Sequence, residues 1–214
     1  MFDITSLWLF IVAVFLLSIT PGPDLAYVVG QSVANGRRAG VISAAGVALG
    51  SCTHALASVV GLTALIAASP TLFNVVKLAG ALYLIYLGSR FILGTFGKEQ
   101  ADDPEQPRIR PEASLRGLLT RGFITTLTNP KVLLFFVSFF PQFVVPGGEH
   151  QVESFLLLGV AYTLVAFLTD ATFALLAGSA MGVVSGNRRL QKLMDRIVGT
   201  AFIGLGIRLS LTQR

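Results

Sequence analysis

Four ionisable side chains stand where a chain built for water would not put them. Asp24 follows Thr20-Pro21-Gly22-Pro23 inside an otherwise apolar run, and Lys131 follows Asn129-Pro130 inside another. Asp170 lies in "AYTLVAFLTDATFALLAG" with no basic residue within a helical turn, and His54 lies in the apolar stretch "GSCTHALASVVG". A charged side chain in the middle of a membrane span costs roughly 2.5–3.5 kcal/mol on insertion scales, so such residues pair with one another or mark a transport path. An isolated carboxylate in apolar surroundings suits two tasks, holding a cationic amine or accepting a proton, because desolvation disfavours the charged form of a carboxyl group. Asp170 fits both tasks, and its structural alternative is a fixed partner for a distant cation. Lys131 adds an ammonium for a carboxylate of the protein or of a substrate; its alternative is to snorkel to a surface on its long stem. His54 is a second candidate for proton transfer, with a plain structural hydrogen bond as the alternative.

The prolines beside these groups explain how a polar site could exist there. Pro21 and Pro23 lack an N–H and free backbone carbonyls near Leu17 and Ile19. In hydrocarbon, freed backbone groups persist only where protein or a watery cavity satisfies them, so the break should face the bundle interior. The half-helix starting near Pro23 then offers N–H groups and a positive dipole end to an anion. Thr20 contributes a hydroxyl and Asp24 a negative charge suited to an ammonium. Together, Thr20, Pro21, Gly22, Pro23 and Asp24 match the two ends of an amino-acid zwitterion, and Asn129, Pro130 and Lys131 mirror them in the second half. A proline kink that only shapes helix packing is the simpler reading of any single proline.

The elements that must carry these residues are membrane helices. The 214 residues are 53% hydrophobic and 13% charged, with mean hydropathy +0.74, whereas soluble domains carry roughly 25% charged residues. A span takes about 20 mostly apolar residues, and such segments recur along the chain, predicting an all-α polytopic membrane protein. Six helices are expected at Ser6–Gly30, Gly40–Ala68, Leu72–Leu93, Leu115–Val145, Glu153–Val184 and Asp195–Leu211, the first and fourth interrupted. The leading residues carry Asp3 and no positive charge, so the first run reads as a span rather than a cleaved leader. One cysteine, Cys52, excludes an intramolecular disulfide.

Charge sorts by loop. Twelve of the 16 Lys and Arg residues fall in connections one, three and five, among them Arg37, Arg38, Arg121, Arg188 and Arg196; Lys77, Arg208 and Arg214 lie on the other side. Cytoplasmic loops carry the Lys/Arg excess, so both termini are expected on the outer, periplasmic side. The net charge of +5 reads as orientation and not as nucleic-acid binding; a five-span alternative breaks the alternation.

A repeat underlies this pattern. Thr20-Pro21 matches Asn129-Pro130 at a spacing of 109 residues, Gly46-Val47-Ala48 matches Gly159-Val160-Ala161 at 113, and Leu87-Gly88-Ser89-Arg90 resembles Leu205-Gly206-Ile207-Arg208 at 118. Three spans per half force the second half to enter from the opposite face. The expected organisation is an inverted 3+3 repeat: residues 1–93, a mobile cytoplasmic loop at 94–114, and residues 115–214, forming one transport unit. Inverted repeats with broken helices at matching positions point to a midplane transport site. Under the 113-residue offset His54 corresponds to Phe167, one turn before Asp170. Gly46-x-x-x-Gly50 and Gly178-x-x-x-Gly182 let helices approach closely and permit a homodimer. Phe139-Phe140-Pro141-Gln142-Phe143 reads as aromatic anchoring at the outer interface.

The chain resembles the LysE/RhtB amino-acid exporters of bacteria over essentially its full length. The resemblance rests on Pro21-Gly22-Pro23, on Leu78-Ala79-Gly80-Ala81-Leu82-Tyr83-Leu84 with Leu87-Gly88, on Asn129-Pro130-Lys131 with Phe140-Pro141-Gln142-Phe143, and on Asp170. It implies an inner-membrane protein that exports an amino acid or close derivative by proton antiport, with the lipid bilayer, protons and a small-molecule substrate as its partners and no cofactor. Two other classes compete. A divalent metal-ion transporter wants several converging carboxylates, thiols or imidazoles, and one Cys, two His and two intramembrane Asp supply few. An intramembrane enzyme would need a pair such as Ser179 and His54, which no catalytic motif accompanies.

Overall fold

The computed structural model describes residues 2–95, 114–145, 147–177 and 188–211. These are helical almost throughout, with no named strand among them and one isolated bridge between Ile4 and Val144. The helices are α1 (Leu7–Ile19), α2 (Pro23–Asn35), α3 (Arg37–Ala68), α4 (Pro70–Gly94), α5 (Leu115–Leu127), α6 (Pro130–Leu134), α7 (Gln151–Leu176) and α8 (Arg188–Leu211). Most of the 94–114 connection, the Gly178–Gly182 spacing and Ser179 lie outside the described residues.

Each proline break falls where local chemistry requires. Thr20 is held extended ahead of Pro21, as a residue preceding proline must be, which ends α1. Gly22 is the N-cap of α2 and Pro23 its first residue, a position where the missing N–H is no loss. In the second half one proline serves both purposes: Pro130 ends α5 and opens α6, with the Asn129 side chain accepting from Lys131 N at 3.0 Å. The 109-residue register therefore describes the helix ends, Thr20 with Asn129, while the helix starts pair Pro23 with Pro130. The broken pairs bend by 57° between α1 and α2 and by 51° between α5 and the segment that starts at Pro130.

Among the described residues two helices, within Arg37–Gly61 and Gln151–Leu176, are long and apolar enough to cross a membrane, and four spans result if each bent pair counts as one. The outward faces are apolar: Trp8, Phe15, Leu49, Val60, Leu164 and Leu168 are all exposed, a band that a bilayer would cover. The first connection has almost no length. Gly36 alone separates α2 from α3, with φ of 87°, a left-handed conformation that glycine adopts without steric cost. Arg37 and Arg38 consequently open α3 and do not sit in a loop.

The centre of the bundle is the crossing of α3 with α5 and α7, while α4 packs mainly along α8. Close approach of α3 and α5 depends on glycine. A Cβ at Gly46 would collide with Leu119 O, and one at Gly122 would sit 2.6 Å from Ser43 O. The expected packing role of Gly46 and Gly50 is thus visible.

The aromatic run corrects its expectation. Phe139, Phe140, Pro141 and Phe143 are buried and do not anchor at an interface. After α6 the chain widens into a π turn at Phe135–Phe139 and tightens into a 3₁₀ turn at Phe140–Phe143, so the fourth helix is not continuous to Val145. These turns rotate the rings inward, where Phe10 meets Phe135, Phe140 and Phe143 with centroids 5.1–6.0 Å apart and Phe140 stacks on Phe155. Aromatic pairs at such separations contribute about 0.5–1.5 kcal/mol beyond area burial. The N-terminal segment closes over this cluster. Thr5 N donates to Phe143 O, Val145 N to Asp3 O, Asp3 N to Ser154 Oγ and His150 N to Asp3 Oδ2 at 2.7 Å. Asp3 so places a carboxylate at the N-terminus of α7, the favourable end for an anion.

Candidate functional site

The two breaks meet. Pro21 cannot donate to Leu17 O, and Lys131 Nζ takes that place, bonding Leu17 O and Thr20 O at 3.0 Å each. The remaining loose end is closed locally, with Thr20 N reaching Leu17 O at 3.3 Å and Thr20 Oγ1 donating to Leu16 O at 2.6 Å. The second break is satisfied in the same way. Pro130 leaves Thr126 O without its helical donor, and Asn129 N at 3.0 Å and His54 Nε2 at 3.2 Å take it up. Leu17 O and Thr126 O, the carbonyls orphaned by Pro21 and Pro130, thus each receive a basic side chain from elsewhere in the fold. His54 also stacks on Phe136, 5.8 Å between centroids, and its bond to a carbonyl requires the ring proton on Nε2.

Asp24 and Lys131 occupy the same position in their half-helices, the residue after the opening proline. Both interact electrostatically, and Lys131 and Asp24 each also interact with Asp170. His54 lies within electrostatic range of Asp24. Asp24 Oδ1 and Asn129 Nδ2 are buried without a hydrogen-bond partner; the Asn129 and Thr126 side chains lie beside the Asp24 carboxyl, but the amide does not close a bond onto it. Unpaired buried polar atoms cost about 1–3 kcal/mol each, and of these two residues Asp24 lines a cavity, with Asn129 beside it.

That cavity is lined by Leu17, Ser18, Asp24, Leu25, Val47, Ser51, Lys131, Val132, Tyr162, Ala166 and Asp170. Asp24, Lys131 and Asp170, the intramembrane charges singled out from the sequence, all line this one space. Thr20, Pro21, Gly22, Pro23, Asn129 and Pro130 form the frame behind it. His54 is not among the lining residues; it sits one helical turn from Ser51 on α3. Tyr162 was not foreseen. It lies eight residues before Asp170, on the same face of α7, and that i, i+8 spacing was the available signal. The volume open to a water-sized molecule's centre is about 20 Å³, room for about one water. Anything as large as an amino acid requires the helices to part.

Helices broken around a buried, charged, narrow cavity, with an apolar outer face, are the architecture of a multi-pass membrane transporter. The sequence profile of the LysE type translocator family matches residues 15–213. The chain belongs to that family. It is 30% identical over 209 residues to the leucine efflux protein of Enterobacter sp. (strain 638), covering 98% of this chain and 97% of the relative. It is 30% identical over 213 residues to the leucine efflux proteins of Salmonella typhimurium and Salmonella typhi, covering 99% of this chain and 98% of each. No solved structure matches the chain.

Proposed function

We propose that this translocator exports an amino acid across the bacterial inner membrane by proton antiport, with both termini periplasmic and six spans in an inverted 3+3 arrangement. In that arrangement α4 and α8 serve as the third and sixth spans. The observation that carries the reading is the shared cavity in which Asp24, Lys131 and Asp170 meet at two helix breaks. An amino acid presents one ammonium and one carboxylate. The ammonium has donors only and takes the Asp24 and Asp170 carboxylates, of which Asp24 keeps an unpaired oxygen. The carboxylate takes the N-terminal end of α2 and the Lys131 ammonium. The apolar lining of Leu17, Leu25, Val47, Val132 and Ala166 supports an uncharged aliphatic side chain, as does the leucine efflux named for the Enterobacter and Salmonella relatives.

In this mechanism Asp170 releases substrate outward as it takes up a returning proton, His54 modulates the charge of Asp24, and one half rocks against the other around the fixed site. The narrow cavity is then a contracted step of the cycle. A metal-ion cargo is not favoured, since no group of three or more His, Cys, Asp or Glu converges among the described residues. Counterflow in proteoliposomes against a panel of labelled amino acids tests the reading. Exchange of at least one neutral amino acid is expected, and exchange of none would overturn it.

A further inference from the structure

Four polar donors other than backbone line the cavity, and they are not equally available. Lys131 Nζ already serves Leu17 O and Thr20 O, and Ser18 Oγ donates to Val14 O at 2.9 Å. The hydroxyls of Ser51 on α3 and Tyr162 on α7 have no hydrogen-bond partner among the described residues. Both residues are buried, at 1% and 2% exposed. Among the described residues the fully buried polar side-chain atoms without a partner are Asp24 Oδ1, Ser43 Oγ and Asn129 Nδ2. The Ser51 and Tyr162 oxygens are not among them and open onto the cavity, where something that enters can meet them. Tyr162 is moreover held rigidly, its ring 4.6 Å from that of Phe136 and 5.2 Å from that of Phe135, so its hydroxyl is aimed and does not search.

We propose that Tyr162 and Ser51, which line the cavity from α7 and α3, form a hydroxyl clamp that donates to the carboxylate of the transported amino acid. This rests on the amino-acid export reading and deepens it. The chemistry selects the end of the substrate. The ammonium offers only donors and is matched by Asp24 and Asp170, whereas a carboxylate accepts at two oxygens and needs donors that are free when it arrives. Lys131 supplies charge but is tied to the first break, so the clamp supplies the directional bonds. The clamp also ties substrate recognition to the crossing of α3 with α7, two unbroken helices, through one small molecule.

The test uses the full chain in proteoliposomes, with labelled leucine for counterflow and unlabelled leucinamide, which keeps the ammonium and lacks the carboxylate, as competitor. Tyr162→Phe and Ser51→Ala each remove one oxygen and leave the ring and the helix packing in place; thermal melting of each purified variant checks the fold. Each is expected to raise the KM for leucine by roughly tenfold, the loss of one hydrogen bond to a charged group, with little change in maximal rate. Discrimination of leucine over leucinamide should shrink by a similar factor. Unchanged KM and unchanged discrimination in melting-competent variants would overturn the clamp. A loss shared equally by leucine and leucinamide would overturn it too, since that marks a purely structural role. Failure of the wild type to exchange any amino acid would instead overturn the export reading on which the clamp rests.

Discussion

Lys131→Met is the substitution whose consequence follows most directly from the geometry. The lysine closes the first break by two bonds of 3.0 Å to Leu17 O and Thr20 O. Methionine keeps most of the stem and loses both donors. Leu17 O is left with the 3.3 Å bond from Thr20 N, Thr20 O with none of these, and Asp24 without the cation that faces it. Hydrogen bonds to charged groups contribute about 1.5–3 kcal/mol each. Removing one partner of a buried charged arrangement costs about 3–5 kcal/mol, part of which is offset because an ammonium no longer has to be desolvated. Taking ~3 kcal/mol as the net effect, a chain of this size should lose on the order of 10 °C in melting temperature. The assay is recovery of monodisperse protein in detergent after heating, followed by size-exclusion chromatography. Gly22→Ala approaches the same contact from the other side, since its Cβ would lie 3.1 Å from Lys131 Nζ, and it should give a smaller loss in the same direction. A Lys131→Met variant that melts within about 2 °C of wild type would refute the view that this ammonium holds the break together.

Other expectations concern coupling and packing. Asp170→Asn should abolish export driven by a pH gradient while leaving weakened counterflow, and full pH-driven export by this variant would remove Asp170 from the coupling step. His54→Gln keeps a donor for Thr126 O but cannot take a proton, so counterflow should persist while pH-driven export slows several-fold; unaltered export would confine His54 to its structural bond. Gly46→Ala pushes a methyl group against Leu119 O and should destabilise by about 1–3 kcal/mol, read as a lower melting temperature and reduced folded yield.

The breaks were legible because proline acts locally: Pro21, Pro23 and Pro130 forbid particular hydrogen bonds whatever surrounds them. The helical class and the Asp24, Lys131 and Asp170 constellation were legible for a related reason, the cost of charge in an apolar run. What closes the breaks was not. That Lys131 bonds Leu17 O and His54 bonds Thr126 O depends on which helices meet, and contacts 114 and 72 residues apart in sequence leave no local trace. Phe139 to Phe143 misled because an aromatic run near the end of a span suits an interface and a core equally; the π and 3₁₀ turns that decided between them follow from packing. Tyr162 was hidden among apolar neighbours, one ring in a helix where rings are ordinary, and only its register with Asp170 set it apart.

Counterflow of a labelled neutral amino acid that wild type exchanges, into proteoliposomes preloaded with the same unlabelled amino acid, compared between wild type and Asp24→Asn, tests the central claim that the cavity between the breaks is where the substrate sits. Saturable exchange by wild type that is lost in the Asp24→Asn protein, while that protein still purifies folded and monodisperse at the assay temperature, is the predicted result. Equal exchange by the two proteins would contradict it.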